Sequence, residues 1–274
     1  MEKIKLGYLP LAKSNFDTEL AEKDRKEVQS ILKDFGQVEL ITSDVKVLDS
    51  KIPPVIENFK EEQIDVLLVH FCTFCLGNIL PSLVTNVDVP VILLGTPEPD
   101  FAGDRLRSNS FCALNMNSHT LYKLKKKHRS IFKSLSDNSL KAELGMIFSA
   151  LYTIKNMKNK RIGLIGSRAP GFYTSNFNEL KLRKELGIEV EQIDISKVYI
   201  GAEKLSEKEV LSKSEKLLSS INHQSKVANK HVNNLIRART SISNLAEEYR
   251  LDAYAIKCWP EFHVDYGTTV CPAL

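Results

Sequence analysis

Residues 161–196, RIGLIGSRAPGFYTSNFNELKLRKELGIEVEQIDIS, leave the chain little choice of fold. The apolar run Ile162 to Ile165 reads as a buried strand and stops at a Gly- and Pro-punctuated loop, Gly166 to Gly171. Leu180, Leu182 and Leu186 then lie among charged residues as the apolar positions of a short amphipathic helix. Asn176 with Glu179 reads as a capping pair at its start, and Gly187 as its C-cap. IEVEQIDI alternates as a strand does. Strand, helix and strand in this order form a crossover between parallel neighbours, which cannot be joined by a tight turn. The loop Ser167 to Tyr173 falls at the carboxyl end of the first strand, the edge where open α/β sheets hold ligands.

The same alternation runs through the preceding residues. Strands are expected at 4–9, 38–42, 64–71 and 89–96, with helices at 17–34, about 48–60 and through Leu83. IDVLLVHF and VPVILLGT are continuous apolar runs, the pattern of strands covered on both faces. After the loop TPEPDFAGD (96–104), helix is expected over 108–124 and 138–158, with a short strand at 128–132. The later helix carries Leu140, Leu144, Ile147, Leu151 and Ile154 on one face. Beyond the 161–196 unit, helices at 206–221 and from about 224 to 249 lead to a third strand, LDAYAIKC (251–258). GTTVCPAL reads as the opening of another helix, so that the second sheet looks cut short. The expected architecture is α/β, two consecutive Rossmann-like parallel-sheet domains: an N-terminal one at 1–159 and a second, incomplete one at 160–274.

Composition narrows the partners. Lys and Arg exceed Asp and Glu by only +4 and are interspersed with them, which argues against a nucleic-acid footprint. The basic cluster KLKKKHR (123–129) reads as a helix end, where cations complement the dipole. No apolar run approaches the roughly 20 residues of a membrane span, and MEKIKLGYLP reads as a strand rather than a signal peptide. With five cysteines, an odd number, a reducing cytoplasm is expected.

Several residues carry candidate chemistry. The loop GSRAPG lacks Gly-x-Gly-x-x-Gly spacing, so it reads as a shaped ligand loop presenting Arg168 and Tyr173 rather than as a dinucleotide fingerprint. Cys72 and Cys75 form a C-x-x-C, but nothing else supports a redox pair, and small buried thiols in a strand-to-helix turn are the preferred reading. Glu261, His263 and Asp265 would share one face of a strand and could chelate a metal; the competing reading is a polar loop after Pro260. Trp259, the only tryptophan, sits near Glu261, and an aromatic ring beside a carboxylate is a common sugar-binding pair.

Three stretches together resemble one family: residues 161–196, RLRSNSFCALNMNS (105–118) and DAYAIKCWPEFHVDYGTTVCPAL (252–274) are similar to the L-fucose isomerase-like proteins, grouped with the L-fucose and L-arabinose isomerases. The resemblance implies two N-terminal α/β domains followed by a C-terminal domain that is absent from this sequence. It implies interconversion of aldoses and ketoses of free monosaccharides through an ene-diol, with a divalent cation, typically Mn²⁺, and a homo-oligomer. The family's metal-binding carboxylates lie just beyond the position matching Leu274, and its metal-binding His lies farther on. On this reading the catalytic residues are unknown, no metal ligand falls within the chain, and Trp259, Glu261 and Arg168 are the substrate-binding candidates. The 274 residues alone are then expected to be inactive; the alternative is a non-catalytic sugar-binding or assembly module, such as a split-gene subunit.

Overall fold

A computed structural model describes residues 1–46, 51–102, 104–220 and 229–271. The chain divides into two compact units, Met1–Asn156 and Met157–Leu274.

The first unit holds a five-stranded parallel sheet ordered β2-β1-β3-β4-β7. Its strands are β1 (Ile4–Leu11), β2 (Val38–Thr42), β3 (Val66–Phe71), β4 (Val91–Gly95) and β7 (His128–Phe132). The expected short strand at 128–132 thus forms and becomes the sheet's outer member, with Ile131 opposite Leu94. All side chains of β3 and β4 are buried, because helices cover both faces. Alternation along the strands sorts the core. Leu9, Leu67, Val69 and Leu93 pack against α2 (Pro53–Glu61), α3 (Ile79–Asn86) and α4 (Ser110–Lys123). Leu6, Tyr8, Leu68 and Ile92 face the other way, toward α1 (Thr18–Lys33) and α5 (Asn138–Met157). On α5 the buried residues are Leu140, Leu144 and Phe148, with Ile147 and Leu151 partly covered; Ile154 at the end of the expected stripe is exposed.

The second unit has a three-stranded parallel sheet ordered β10-β8-β9, from β8 (Arg161–Ile165), β9 (Glu189–Ile193) and β10 (Ala253–Ile256). Its core gathers Ile165, Ile193, Val198, Ile242, Leu245 and Phe262, drawing on the helices α7 (Ser196–Glu203) and α9 (Asn229–Glu248). Helix α8 (Glu207–Ser220) precedes α9. The α/β class with two parallel sheets is therefore as the alternation of apolar runs requires.

Some local expectations are corrected. The loop at 96–104 contains half of a small antiparallel ladder, β5 (Phe101–Ala102) with β6 (Arg105–Leu106). Helix α7 was not anticipated: its apolar residues Val198, Tyr199, Ile200 and Ala202 do not fall on one face, and only Val198 and Ala202 are buried. Helix α6 (Glu179–Leu186) is capped by Asn178, whose Oδ1 accepts from Lys181 N at 2.9 Å, and not by Asn176. It fully buries no residue: Leu182 and Leu186 are partly covered, and Leu180 is exposed and lies off that face. Tyr254 and Ile256 of the edge strand β10 are partly buried against the second core; Ala253 and Ala255 take the open face. Of the stretch 267–274 expected to open a helix, residues 267, 268 and 270 are bends and 271 is 3₁₀ helical. The expected beginnings of helices at about 48 and 224, the end of that at 206–221, and residues 272–274 lie outside the described residues.

Candidate functional site

The carboxyl edge of the second sheet is a cleft of about 410 Å³, lined by Gly166, Ser167, Gln192, Ile193, Asp194, Ile195, Lys257 and Glu261. Each group follows or ends a strand. Gly166 closes β8 with φ +79°, a conformation that favours glycine, and a side chain there would press on Lys257 Cβ. Its N–H donates to Ile193 O at 2.8 Å, and Lys257 N donates to Ile165 O at 2.9 Å, so the three strand ends are tied together.

Lys257 leaves β10 with its side chain largely covered and pairs with Glu261 one helical turn on. Glu261 opens α10 (Glu261–Val264). Its Oε1 takes the Lys257 ammonium, and this bond holds the carboxyl below the usual carboxylate range, against the opposing effect of burial. Its Oε2 is shielded from solvent with no hydrogen-bond partner among the described residues. Asp194 ends β9; Ser196 bonds to its carboxylate and holds its pKa low, with Ser196 N donating to Oδ1 at 2.8 Å.

Aromatic packing fixes the segment that carries Glu261. Phe262 is fully buried and meets Tyr199 edge-on at 5.3 Å between ring centroids, while Tyr199 stacks on Tyr266 at 5.2 Å. The Tyr199 hydroxyl is buried without a partner among the described residues, and burial, aided by the charges of Asp265 and Glu261, pushes its pKa up to about 12.

The substrate-binding candidates separate. Glu261 lines the cleft. Trp259 is 53% exposed and is not among the lining residues. Arg168 is exposed on the 166–173 loop, with its guanidinium 5.0 Å from the Tyr173 ring centroid, and is not a lining residue either. Lys257, Asp194, Gln192 and Ser167 were missed from sequence. Their signal was position: each stands at or just past the carboxyl end of a strand, where side chains of an open sheet converge.

The reading of Glu261, His263 and Asp265 as strand neighbours is corrected. They lie on and just after α10, where successive residues turn by about 100°, so Glu261 and Asp265 share a side and His263 points away. Proline at the N-cap and Phe262 drawn into the core favour the helical turn over an extended run. Among the described residues no group of three or more His, Cys, Asp or Glu side chains could hold a metal ion. The donor set therefore does not fit the divalent cation that the resemblance implies.

A second polar cluster lies inside the first unit. Tyr8 OH and His70 Nδ1 are 2.9 Å apart, and Cys72 Sγ lies 3.3 Å from the same nitrogen. Cys72 and Cys75 are buried thiols after β3, and burial shifts Cys72 far upward, so Cys72 lacks the thiolate character that redox work requires.

Comparison with known proteins places residues 7–158 in the family model described as fucose/sulfoquinovose isomerase, N-terminal domain. A sulfoquinovose isomerase from Alkalicoccus urumqiensis is 28% identical over 278 residues, covering 97% of this chain and 59% of that protein. A second from Priestia aryabhattai is 26% identical over 277 residues, covering 100% of this chain and 61% of that protein. The chain thus spans about three fifths of the length of these curated relatives. A solved periplasmic solute-binding protein from Actinobacillus succinogenes, with bound D-allose, aligns over 92% of this chain and 77% of its own at 13% identity, with a TM-score of 0.28, too low to bear on fold or ligand.

Proposed function

The chain belongs to the fucose/sulfoquinovose isomerase family through its N-terminal domain, and from that membership we propose that it serves aldose–ketose isomerisation of a free monosaccharide, held at the carboxyl edge of the second sheet. The observation that carries this reading is the cleft itself. Ser167, Gln192, Asp194, Lys257 and Glu261 converge there, and the Glu261 Oε2 lacks the donor that a sugar hydroxyl would supply. The relatives named sulfoquinovose isomerase make a sulfonated hexose the first sugar to try, with L-fucose and L-arabinose beside it. Among the described residues no helix is long and apolar enough to cross a membrane. A cytoplasmic, homo-oligomeric setting is part of the same proposal.

Ene-diol chemistry needs a base and an electrophile placed on the same two carbons. The described residues supply acceptors for hydroxyls but no cation site, so we assign the chain sugar binding and positioning and no step through a metal. The second reading is a sugar-binding module that performs no chemistry alone. The test is titration of the 274-residue chain with the three sugars, with and without Mn²⁺, and assay for ketose. Binding without ketose is expected, and Glu261→Gln should weaken binding about tenfold or more by removing a charged acceptor. Absence of binding to every sugar would refute the cleft assignment. Metal-dependent ketose formation would refute the restriction to binding.

A further inference from the structure

We propose that Cys258 and Cys271 form a peroxide-oxidisable pair that closes a reversible disulfide across the segment bearing Glu261. Their sulfurs lie 3.8 Å apart, so closing to the roughly 2.05 Å of a bonded pair takes a shift of under 2 Å. The proximity is built by packing. Phe262 N donates to Cys258 O at 3.2 Å, Thr268 N donates to Phe262 O at 3.0 Å, and Gly267 takes φ +70° between them. Phe262 and Val270 are both buried, so the chain doubles back on its own core and returns Cys271 to Cys258. Cys271 is exposed and Cys258 partly covered. The other exposed cysteine, Cys112, lies on α4 in the first unit.

Cys271 donates its S–H to Cys258 Sγ, and this bond holds the Cys271 thiol above its usual range, so the step is expected at alkaline pH. Cys271 loses its proton and its thiolate attacks hydrogen peroxide: the O–O bond breaks, an S–O bond forms, and hydroxide leaves and takes up a proton. The thiolate of Cys258 then attacks the sulfenic sulfur, forming S–S and breaking S–O, and a second water departs. Two thiols lose two electrons, and one peroxide becomes two waters. Glu261 lies inside the ring so closed. Under the sugar-binding reading above, oxidation would restrain the carboxylate that faces the cleft.

The experiment treats the 274-residue chain with stoichiometric hydrogen peroxide, blocks residual thiols and maps a non-reducing digest. A peptide linking 258 to 271 is expected. Thiols titrated in denaturant should fall from five to three, and emission from the single tryptophan, Trp259, should be quenched. Dithiothreitol should restore both. Cys271→Ser and Cys258→Ser should each abolish the link, whereas Cys112→Ser should behave as the parent. An unchanged thiol count in a chain whose circular dichroism is native overturns the proposal, as does a link made mainly through Cys112. No sugar enters the assay, so its outcome is separate from that of the sugar titration.

Discussion

His70 shows how a single buried side chain sets a pH dependence. Burial alone pushes its pKa down to about 3, well below the 6.5 of a free imidazole, and it stays neutral in the folded chain. Between those values the unfolded chain binds the extra proton, so the stability tied to His70 is complete above pH 6.5 and falls as the pH drops through the window. By pH 5 the loss is about 2 kcal/mol. Asp24 acts with the opposite sign: burial raises it to about 6, so the folded chain binds its proton first and gains stability as the pH falls from 6 toward 3.8. Asp24 is common to parent and His70→Asn and cancels in their difference. The gap between their urea midpoints should therefore narrow from pH 8 to pH 5, and an unchanged gap would remove His70 as its source. Glu98 is the other decisive residue. Its carboxylate accepts from the backbone N–H groups of Arg107, Ser108 and Asn109 and from the Ser108 hydroxyl, at 2.6–3.0 Å. Asn109 precedes α4 with φ +52° and makes no side-chain cap bond, and Glu98, eleven residues away, instead ties down the loop 107–109 that leads into the helix. Glu98→Ala should cost about 1–3 kcal/mol, with Glu98→Gln intermediate, read by chemical denaturation.

At the scale of elements, α7 packs closely against α9. Gly201 faces the buried Ser241, and a methyl group at 201 would collide with Ser241 Oγ. Gly201→Ala gains helix propensity of under about 1 kcal/mol but meets overpacking of about 1–3 kcal/mol, so a net loss of stability is expected. Combining it with Ser241→Ala should recover part of that loss; a stable single variant would show that the two helices can part freely. Helix α6 offers the contrast. It fully buries no residue, and its anchors include the Asn178 cap, the αL Gly187, the Arg183–Glu189 ion pair at 3.1 Å and the Glu179 carboxylate that accepts from Gln192 at 2.8 Å. Asn178→Ala should cost about 1 kcal/mol locally, seen as faster amide exchange over 179–186 with little change in global unfolding.

Across the whole molecule the two sheets differ in how well they are covered. Every residue of β3 and β4 is buried, whereas most of β9 and all of β10 are partly exposed or open. Native-state hydrogen exchange should therefore find its slowest amides at 66–71 and 91–95, and much faster ones at 189–193 and 253–256. Uniform protection across both sheets would mean that the second unit has no lower-energy opening of its own. The proposed sugar cleft lies on the less covered sheet, in keeping with binding elements being drawn from the less stable part of a fold.

The sequence by itself determined the alternation of strand and helix, the parallel sheets and the class of edge at which ligands belong. Runs such as IDVLLVHF and the crossover 161–196 admit few other ways to bury their apolar groups and pair their backbones. Glu261 was legible as a candidate because it follows a strand beside an aromatic ring. Its partners were not. Lys257 and Glu261 are close in sequence, but Asp194 and Ser167 reach the same cleft only because β9 and β10 flank β8. The same limit explains the two misread patterns. Glu261, His263 and Asp265 alternate in sequence, yet burying Phe262 winds them onto a helical turn that separates them. Of the leucines of α6, Leu182 and Leu186 have helical spacing and are partly covered, whereas Leu180, two residues before Leu182, lies on the opposite side and is exposed. Periodicity records what a segment can bury, and only the tertiary structure decides whether a neighbour arrives to cover it.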